Sequence, residues 1–510
     1  MIDMTKPLPT ARWLIISPPH VMFMAKLMAN ALEEHGFFTE IENEPLPSYG
    51  KHDVYIVISP NAFMLPDSKN IFPPADKRLV VQLEQQSSHW MNEGYFTFLR
   101  DSHAVLEYNF ENIAFLQNNN IKERLWHLPL GGNSNLLPAP VEKKWDLIFF
   151  GDLRAERRVK MLGALSEEFN VMIVTETFGE KVRGSEGWSE ATAKSLDRFL
   201  YDEQSSTSLR SSQMHDLIKQ ARFVINIHYF VPPSLEVFRI YESLSLGVPV
   251  ISENTPDSWM YPDFGSSVHF FDLDSTHSMM NVVRSALLEY RDQSTEVTYA
   301  ETKRVVERTH SKFLFSFNRI LFGMELLPVT SIGEVLEHSQ LEIPKTITKP
   351  VILSLPESPG RRKQFLELTK VEVGPLFEGV RHLYRATWMS CALSYSAMAT
   401  LALDAGVARL SIAEDDVVLP EKFEHDIGIV EEYLDQLDDW DMFSGLIADL
   451  NPETKIYSAE VYKGIQFVTI NKMTSTVFNI YNTSLLQLLT KWDPMYENVL
   501  VNTIDRYVER

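Results

Sequence analysis

The stretch Asn226-Ile-His-Tyr-Phe-Val-Pro-Pro-Ser-Leu-Glu-Val-Phe-Arg-Ile-Tyr-Glu-Ser-Leu-Ser-Leu-Gly-Val-Pro-Val-Ile251 continues an apolar strand, breaks at two prolines, and resumes as a helix that stops at Gly247 before a second apolar strand. Strand, helix, strand in that order is the building unit of a parallel α/β sheet. Arg239 and Glu242 stand three apart in the first turns of the helix and so share a face. A carboxylate there can accept both hydroxyls of a ribose, while an arginine and the helix N-terminus can meet a diphosphate. Gly247 allows the tight turn into the next strand. Simpler roles stay open for the same residues: His228 as a hydrogen-bonded core histidine, and Arg239 with Glu242 as a surface ion pair worth under about 1 kcal/mol.

Working outward, the strands DLIFFGDL and NVMIVTE and the helices RVKMLGALSEEF and HDLIKQA precede this stretch, and a long helical run from about 275 to 325 follows it. The first segment alternates in the same way, through WLIIS, VMFMAKLMANALEEHG, FFTEIE, DVYIVIS, RLVVQLE and HLPLGG. The expected organisation is two doubly wound, Rossmann-like α/β domains over residues 1–136 and 137–325, a connector over 326–348, and a smaller α/β domain over 349–510. Two or three domains suit a chain of 510 residues. Open sheets of this kind bind ligands beyond the carboxyl ends of their strands.

In the third domain, Arg409-Leu-Ser-Ile-Ala-Glu-Asp-Asp-Val-Val-Leu419 sets Glu414, Asp415 and Asp416 at the end of a short apolar strand. Desolvating adjacent carboxylates is costly without a cation. Mg²⁺ and Mn²⁺ prefer oxygen ligands and take one or two carboxylates plus substrate phosphate oxygens. Strand alternation predicts Glu414 and Asp416 on one side and Asp415 on the other. A solvated acidic turn is the plainer alternative.

A net charge of −22 argues against nucleic acid as a partner. The single cysteine, Cys391, excludes an intramolecular disulfide and a multi-cysteine zinc site, and packing suits it better than nucleophilic chemistry. The N-terminal residues show no signal-peptide pattern and no apolar run reaches the roughly 18 residues of a membrane helix. A cytoplasmic protein is expected, with peripheral association at the inner face of a membrane still compatible.

The residues Asn226, His228, Arg239, Glu242 and Gly247 follow an Asn-x-His strand and an Arg-x-x-Glu-Ala-x-x-x-Gly helix, with Ser243 in place of the Ala. This pattern resembles the nucleotide-binding half of GT-B glycosyltransferases, in particular the CgeB-like group. The upstream Phe149-Phe-Gly-Asp-Leu-Arg-Ala-Glu-Arg-Arg158 is similar to that family's glycine turn followed by arginine. The resemblance, over residues 10–325, implies Arg157 or Arg158 as a phosphate contact, and Asn226, His228, Arg239 and Glu242 as further donor-site residues, with no cofactor. The better-known GT-B pair of glutamates has seven residues between them. Glu236 and Glu242 have five, so Glu242 is the transferable one.

Residues 350–510 resemble glycosyltransferase family 25, the lipopolysaccharide and collagen galactosyltransferase group, and so imply a GT-A-like domain. The matches are Leu355, Arg361 or Arg362, Cys391, Ser394, Glu414 to Val417, Trp440 with Asp441 before Gly445, Ser475 to Tyr481, and Asp505. Ser354, Pro356, Ser390 and Tyr395 depart from the family's Asn, Asp, Gly and His. By this resemblance Asp416 and Glu414 would hold the metal, Arg361, Arg362, Glu414 and Asp415 would contact the donor, and Asp505 or Asp441 would be the base. Together the two resemblances imply a two-part hexosyltransferase. It would carry a sugar, plausibly galactose from UDP-galactose, to a glycan or glycolipid acceptor such as lipooligosaccharide or capsule. The alternative is a chain in which one half is catalytic and the other binds glycan or serves as a scaffold.

Overall fold

A computed structural model describes residues 11–64, 69–175, 189–192, 211–229, 231, 233–292, 295–447, 449–450, 452–474 and 476–509. The chain divides into two compact units, one of residues up to Tyr108 with Pro129–Phe313, the other of Asn109–Leu128 with Leu314–Arg510.

The N-terminal elements are β1 (Arg12–Ile16), α1 (Met22–Glu34), β2 (Phe38–Glu42), β3 (Val54–Ile58), β4 (Arg78–Gln82), α2 (Glu93–Asp101), β5 (Ala104–Glu107), α3 (Phe110–Asn118) and β6 (Leu125–His127). In the first unit β2, β1, β3, β4 and β5 lie side by side in that order, all parallel. Every residue of β3 and β4 is buried, as expected of strands covered on both faces.

A second parallel sheet of the same unit has the order β11-β10-β9-β7-β8. Its elements are β7 (Trp145–Phe150), α4 (Glu156–Glu168), β8 (Val171–Val174), α5 (Ser211–Lys219), β9 (Ala221–Asn226), α6 (Val237–Ser245), β10 (Val250–Glu253), β11 (Val268–Phe271) and α7 (Thr276–Asp292). Its core joins Leu147 and Phe149 of β7, Leu162 of α4, Ile225 of β9 and Val283 of α7. The long helical run divides into α7 and α8 (Thr295–Gly323).

The second unit holds α9 (Ile332–Glu337), β12 (Val351–Ser354), α10 (Pro359–Leu368), β13 (Leu376–Glu378), α11 (Thr387–Asp404), β14 (Arg409–Glu414), α12 (Phe423–Leu434), β15 (Met442–Ser444), β16 (Ile456–Tyr462), β17 (Ile465–Ile470), β18 (Phe478–Asn482), α13 (Thr483–Leu489), α14 (Val499–Asn502) and α15 (Ile504–Val508). Its sheet is mixed, in the order β13-β12-β14-β18-β15, with β18 antiparallel to both β14 and β15. β16 and β17 form a separate hairpin, whose Phe467 stacks on Tyr433 of α12 at 3.8 Å.

The expected boundary at residue 349 is too late for this unit. Glu357, just past β12, is buried and paired with the fully buried Arg319 of α8, Nη2 to Oε1 at 2.6 Å. Glu357 also accepts from the His127 amide at 3.0 Å, and its carbonyl accepts from Gln117 at 2.7 Å. Arg381 donates to the Leu125 carbonyl at 2.6 Å. Burial would raise the Glu357 carboxyl, but the Arg319 guanidinium outweighs it and holds the group down at about 2. Residues 109–128 and the end of α8 are thus built into this unit, and the expected connector contributes the buried Val335 and Ile347. Among the described residues no helix is long and apolar enough to cross a membrane.

Candidate functional site

In the first unit, β7 and β9 end beside the N-terminus of α6, and three arginines gather there. Gly151 follows β7 at φ +144°, and a Cβ on it would sit 3.2 Å from Arg239 Nη1. Arg239 donates from Nη1 to the Phe150 carbonyl at 2.6 Å and pairs through Nη2 with Glu236 Oε2 at 3.1 Å. Arg158, 2% exposed, donates to the carbonyls of Ile227 at 2.8 Å and Asp152 at 2.9 Å, and lies 3.6 Å from Glu236 Oε1. Burial lowers the Arg158 guanidinium to about 10, so it is charged at neutral pH. Glu236 is itself buried, yet Arg239, His228 and Arg158 hold its carboxyl well below the usual range.

Two guanidinium groups thus face the Glu236 carboxylate at a helix N-terminus, where an anion is favoured, and the buried Asp257 accepts the Leu235 amide just ahead of it at 3.1 Å. His228 is fully buried; its Nε2 is 3.3 Å from the Glu253 carbonyl, and its Nδ1 lies 3.7 Å from Glu236 Oε1. Asn226 donates to Ser252 Oγ at 3.0 Å and keeps a buried Oδ1 with no partner. Such orphaned polar atoms are uncommon inside a fold and mark a place for a ligand or water.

Two expected donor contacts are placed otherwise. Arg157 pairs with both oxygens of the buried Glu253, reaches the His228 carbonyl, and meets Asp274 Oδ1 at 3.2 Å. Glu253 also accepts the amides of His228 at 2.7 Å and Asp274 at 3.0 Å. Arg157 therefore braces the ends of β9 and β10 with its donors already in use. Glu242 lies not beside Arg239 but against His215 Nε2 of α5, at 2.9 Å. Glu236, set aside by its spacing, is the acid at the cluster.

The first sheet contributes residues that motif reading passed over. Gln85 and Ser234 exchange hydrogen bonds, Nε2 to carbonyl at 3.3 Å and amide to Oε1 at 3.2 Å. Past β1, the prolines 18 and 19 lead into a 3₁₀ turn that carries the exposed His20. A histidine directly beyond a buried parallel strand was the available signal.

In the second unit the turn after β14 brings Asp415 and Asp416 to one guanidinium. Arg361 Nη2 is 2.6 Å from Asp415 Oδ1 and 3.1 Å from Asp416 Oδ2. Strand alternation ends with β14 at Glu414, which is why the two aspartates do not diverge as expected. Asp415 is buried and also accepts from Ser354 Oγ at 2.7 Å, while Asp416 is 51% exposed. Arg362 turns inward: its Nε donates to Ser354 Oγ at 3.1 Å and its guanidinium lies over the Phe110 ring at 5.4 Å. It supports the site from beneath and is not a solvated phosphate contact. Glu414 accepts from Tyr395 at 3.0 Å and Thr476 at 2.9 Å, and burial raises its carboxyl. Ser354 and Tyr395, the departures from the family pattern, thus hold the acids.

The two candidate bases separate. Asp505 opens α15, which packs on α11; its Oδ1 is buried without a partner, and burial raises its carboxyl. The Cys391 thiol of α11 is pushed up by burial, and the charges of Glu414, Asp505 and Asp416 add to that. Asp441 accepts from Ser484 at 2.6 Å and its carbonyl accepts the Asn482 amide. Asn482 pairs with Arg409, at the opposite end of β14 from Glu414. Five residues of strand separate them, about 17 Å. That distance removes Asp441 from the acid cluster. Ser475, part of the late-strand match, lies outside the described residues.

Among the described residues no three His, Cys, Asp or Glu side chains converge to hold a metal ion. Two carboxylates and a donor's phosphate oxygens suffice for Mg²⁺ or Mn²⁺. Glu414 Oε1 is taken by Tyr395 and Thr476, and the exposed Asp416 is paired with Arg361 at 3.1 Å, a charge that such an ion would have to displace.

No family model matches the chain, and no curated protein matches it. Similar solved structures include sucrose-phosphate synthase from Thermosynechococcus elongatus, at 10% identity over 61% of this chain and 98% of that one, TM-score 0.39. Anabaena HepE in complex with UDP and glucose is 11% identical over 62% of this chain and 100% of that one, TM-score 0.42. WaaG, a glycosyltransferase involved in lipopolysaccharide biosynthesis, is 12% identical over 58% and 95% of the two chains, TM-score 0.37.

Proposed function

We propose that this protein is a glycosyltransferase whose first unit takes a nucleotide-sugar donor at the head of α6 and passes the sugar to a glycan acceptor. The carrying observation is the pair of guanidinium groups, Arg158 and Arg239, gathered about Glu236 at the start of α6, beside the unpartnered buried Asn226 Oδ1. Arg239 and the α6 amides would receive the diphosphate, with Arg158 behind them. As the sugar leaves, charge accumulates on the diphosphate, and fixed donors aimed at it stabilise the transition state without reorganising. No metal is needed for that arrangement.

The second unit is proposed as a second donor site of GT-A type. Asp416 and Glu414 would hold Mg²⁺ or Mn²⁺, which when bound neutralises the departing diphosphate. Asp505, with its unpartnered oxygen, would take a proton from an acceptor hydroxyl. A hexose, with UDP-galactose the first donor to try, and a cell-surface glycan acceptor follow from the resemblance of this unit's motifs. A second reading keeps only the first unit catalytic, with the other binding glycan. It is favoured by Arg361, whose guanidinium already satisfies both aspartates.

The test is turnover of a nucleotide-sugar panel, with Mn²⁺ or with chelator, by wild type, Arg239→Ala and Asp416→Ala. Chelator-resistant turnover lost in Arg239→Ala supports the first-unit site. Mn²⁺-dependent turnover lost in Asp416→Ala supports the second. Turnover untouched by either substitution sinks both assignments.

A further inference from the structure

The hairpin of β16 and β17 ends in strand edges with which no other strand pairs among the described residues. Its turn is Lys463-Gly464, at φ 45° and 86°, the two-residue form whose twist suits the flanking strands. Phe467 of β17 stacks on Tyr433 of α12, and Glu460, directly opposite Phe467, accepts from the Tyr433 hydroxyl. Those contacts fix the face that lies on α12. Alternation turns Ala459 and Val461 of β16, with Val468 of β17, to the other face. Counted from the turn, Tyr462 with Ile465, Glu460 with Phe467 and Ser458 with Thr469 are the hydrogen-bonded pairs. The backbone amides and carbonyls of Ala459 and Val461 therefore point away from β17, to the open edge. Six of the seven residues of β16 are exposed, Ile456 at 68%, Tyr457 at 66% and Val461 at 72%. The strand has neither proline nor lysine, two residues that commonly blunt an edge.

We propose that β16 is a self-pairing edge, through which two copies of this chain join antiparallel about a two-fold axis at Ala459 to make a four-stranded sheet. The strand's own sequence points to a second copy as the occupant. With Ala459 opposite Ala459, Tyr457 falls opposite Val461 and Ser458 opposite Glu460, an aromatic against a β-branched residue and a hydroxyl against a carboxylate. The two Glu460 carboxylates do not meet. Lys455 falls opposite Lys463, whose ammonium is met by Glu432 of its own copy. The outward amide and carbonyl of Ala459 bond to their equivalents, and both α12 helices lie on one side of the joint sheet. The register irregularity between Ile456 and Ser458 confines regular pairing to a few residues, so the interface belongs to the small, weak class.

Sedimentation velocity of the full chain over a concentration series reads the association. Wild type is expected to pass from monomer to dimer with a midpoint at about 10–100 µM. Val461→Lys charges the edge, and Ala459→Pro removes an N–H that faces outward while keeping the β16–β17 ladder. Each is expected to raise the midpoint at least about 10-fold. The register is read by cysteine substitution at exposed positions, with wild type and its single Cys391 as the blank. Residues opposite one another across the axis lie about 5.5 Å apart between Cα atoms, within disulfide reach, so Ala459→Cys should oxidise to a covalent dimer. Val461→Cys should not, since its two copies stand about 14 Å apart. Wild type that stays monomeric at every concentration, or a dimer undiminished by both Val461→Lys and Ala459→Pro, overturns the proposal. A covalent dimer from Val461→Cys but not from Ala459→Cys overturns it as well.

Discussion

The head of α6 and the end of β14 are opposite solutions to one electrostatic problem. At α6, Arg158 and Arg239 outnumber Glu236, and the helix N-terminus adds to the positive side. At β14, Glu414, Asp415, Asp416 and Asp505 outnumber Arg361 and the inward-turned Arg362. On the proposed reading, the first receives a diphosphate without a metal. The second repels one until a cation intervenes. In a chain of net charge −22, an anionic ligand depends on such local reversals of sign.

The largest expected effect tests whether the second site belongs to a freestanding domain. Glu357→Ala would leave the fully buried Arg319 unpaired, at a cost of about 3–5 kcal/mol. Thermal unfolding should show the second unit's transition shifted down sharply with the first unit's retained; an unshifted transition would show that residues 109–128 and α8 are not integral to it.

That coupling also marks where sequence reading stops. The parallel strands were legible because β1, β3 and β4 are nearly unbroken apolar runs bounded by turns, and α6 because Gly247 ends it. The boundary was not, because Arg319, Glu357 and His127 are far apart in the chain and no local pattern announces a buried ion pair. In the site, Arg239 was readable from its place in the first turns of a helix, whereas Arg158 came only as one of two arginines that the family resemblance implied. The exchange of Glu236 for Glu242 was not, since it depends on His215 capturing one of them. Asp441 failed for a similar reason: its place along β14 is set by the register of β18, an antiparallel pairing that motif order does not encode.

Next in size, Arg239→Gln should weaken nucleotide binding at the first site by about 2–4 kcal/mol, since it also leaves the buried Glu236 short of a partner. Arg157→Gln should instead lower the melting temperature more than it alters affinity, because Arg157 braces Glu253. Titration calorimetry beside thermal melts separates them, and equal effects on binding would erase the distinction between the two arginines.

A smaller effect of opposite sign is expected in the acid cluster. Burial raises the Asp505 carboxyl above its unfolded value, so the native state binds more protons and the charged form is a cost present above the folded pKa and relieved as pH falls through it. Asp505→Asn should therefore melt higher than wild type at pH 7, with the advantage vanishing on acidification, while Mn²⁺-dependent turnover is lost. A lower melting point at pH 7 would mean that Asp505 has a stabilising partner. The smallest change, Tyr395→Phe, removes one of two hydroxyls on Glu414 and should cost about 1 kcal/mol of stability, read in denaturant melts.

The contrast in sign reduces most directly to donor turnover in the presence of excess chelator. Wild type is expected still to consume a nucleotide sugar without divalent metal, and Arg239→Ala to abolish that residual turnover. Complete loss of wild-type turnover on chelation, or residual turnover unchanged in Arg239→Ala, would contradict it.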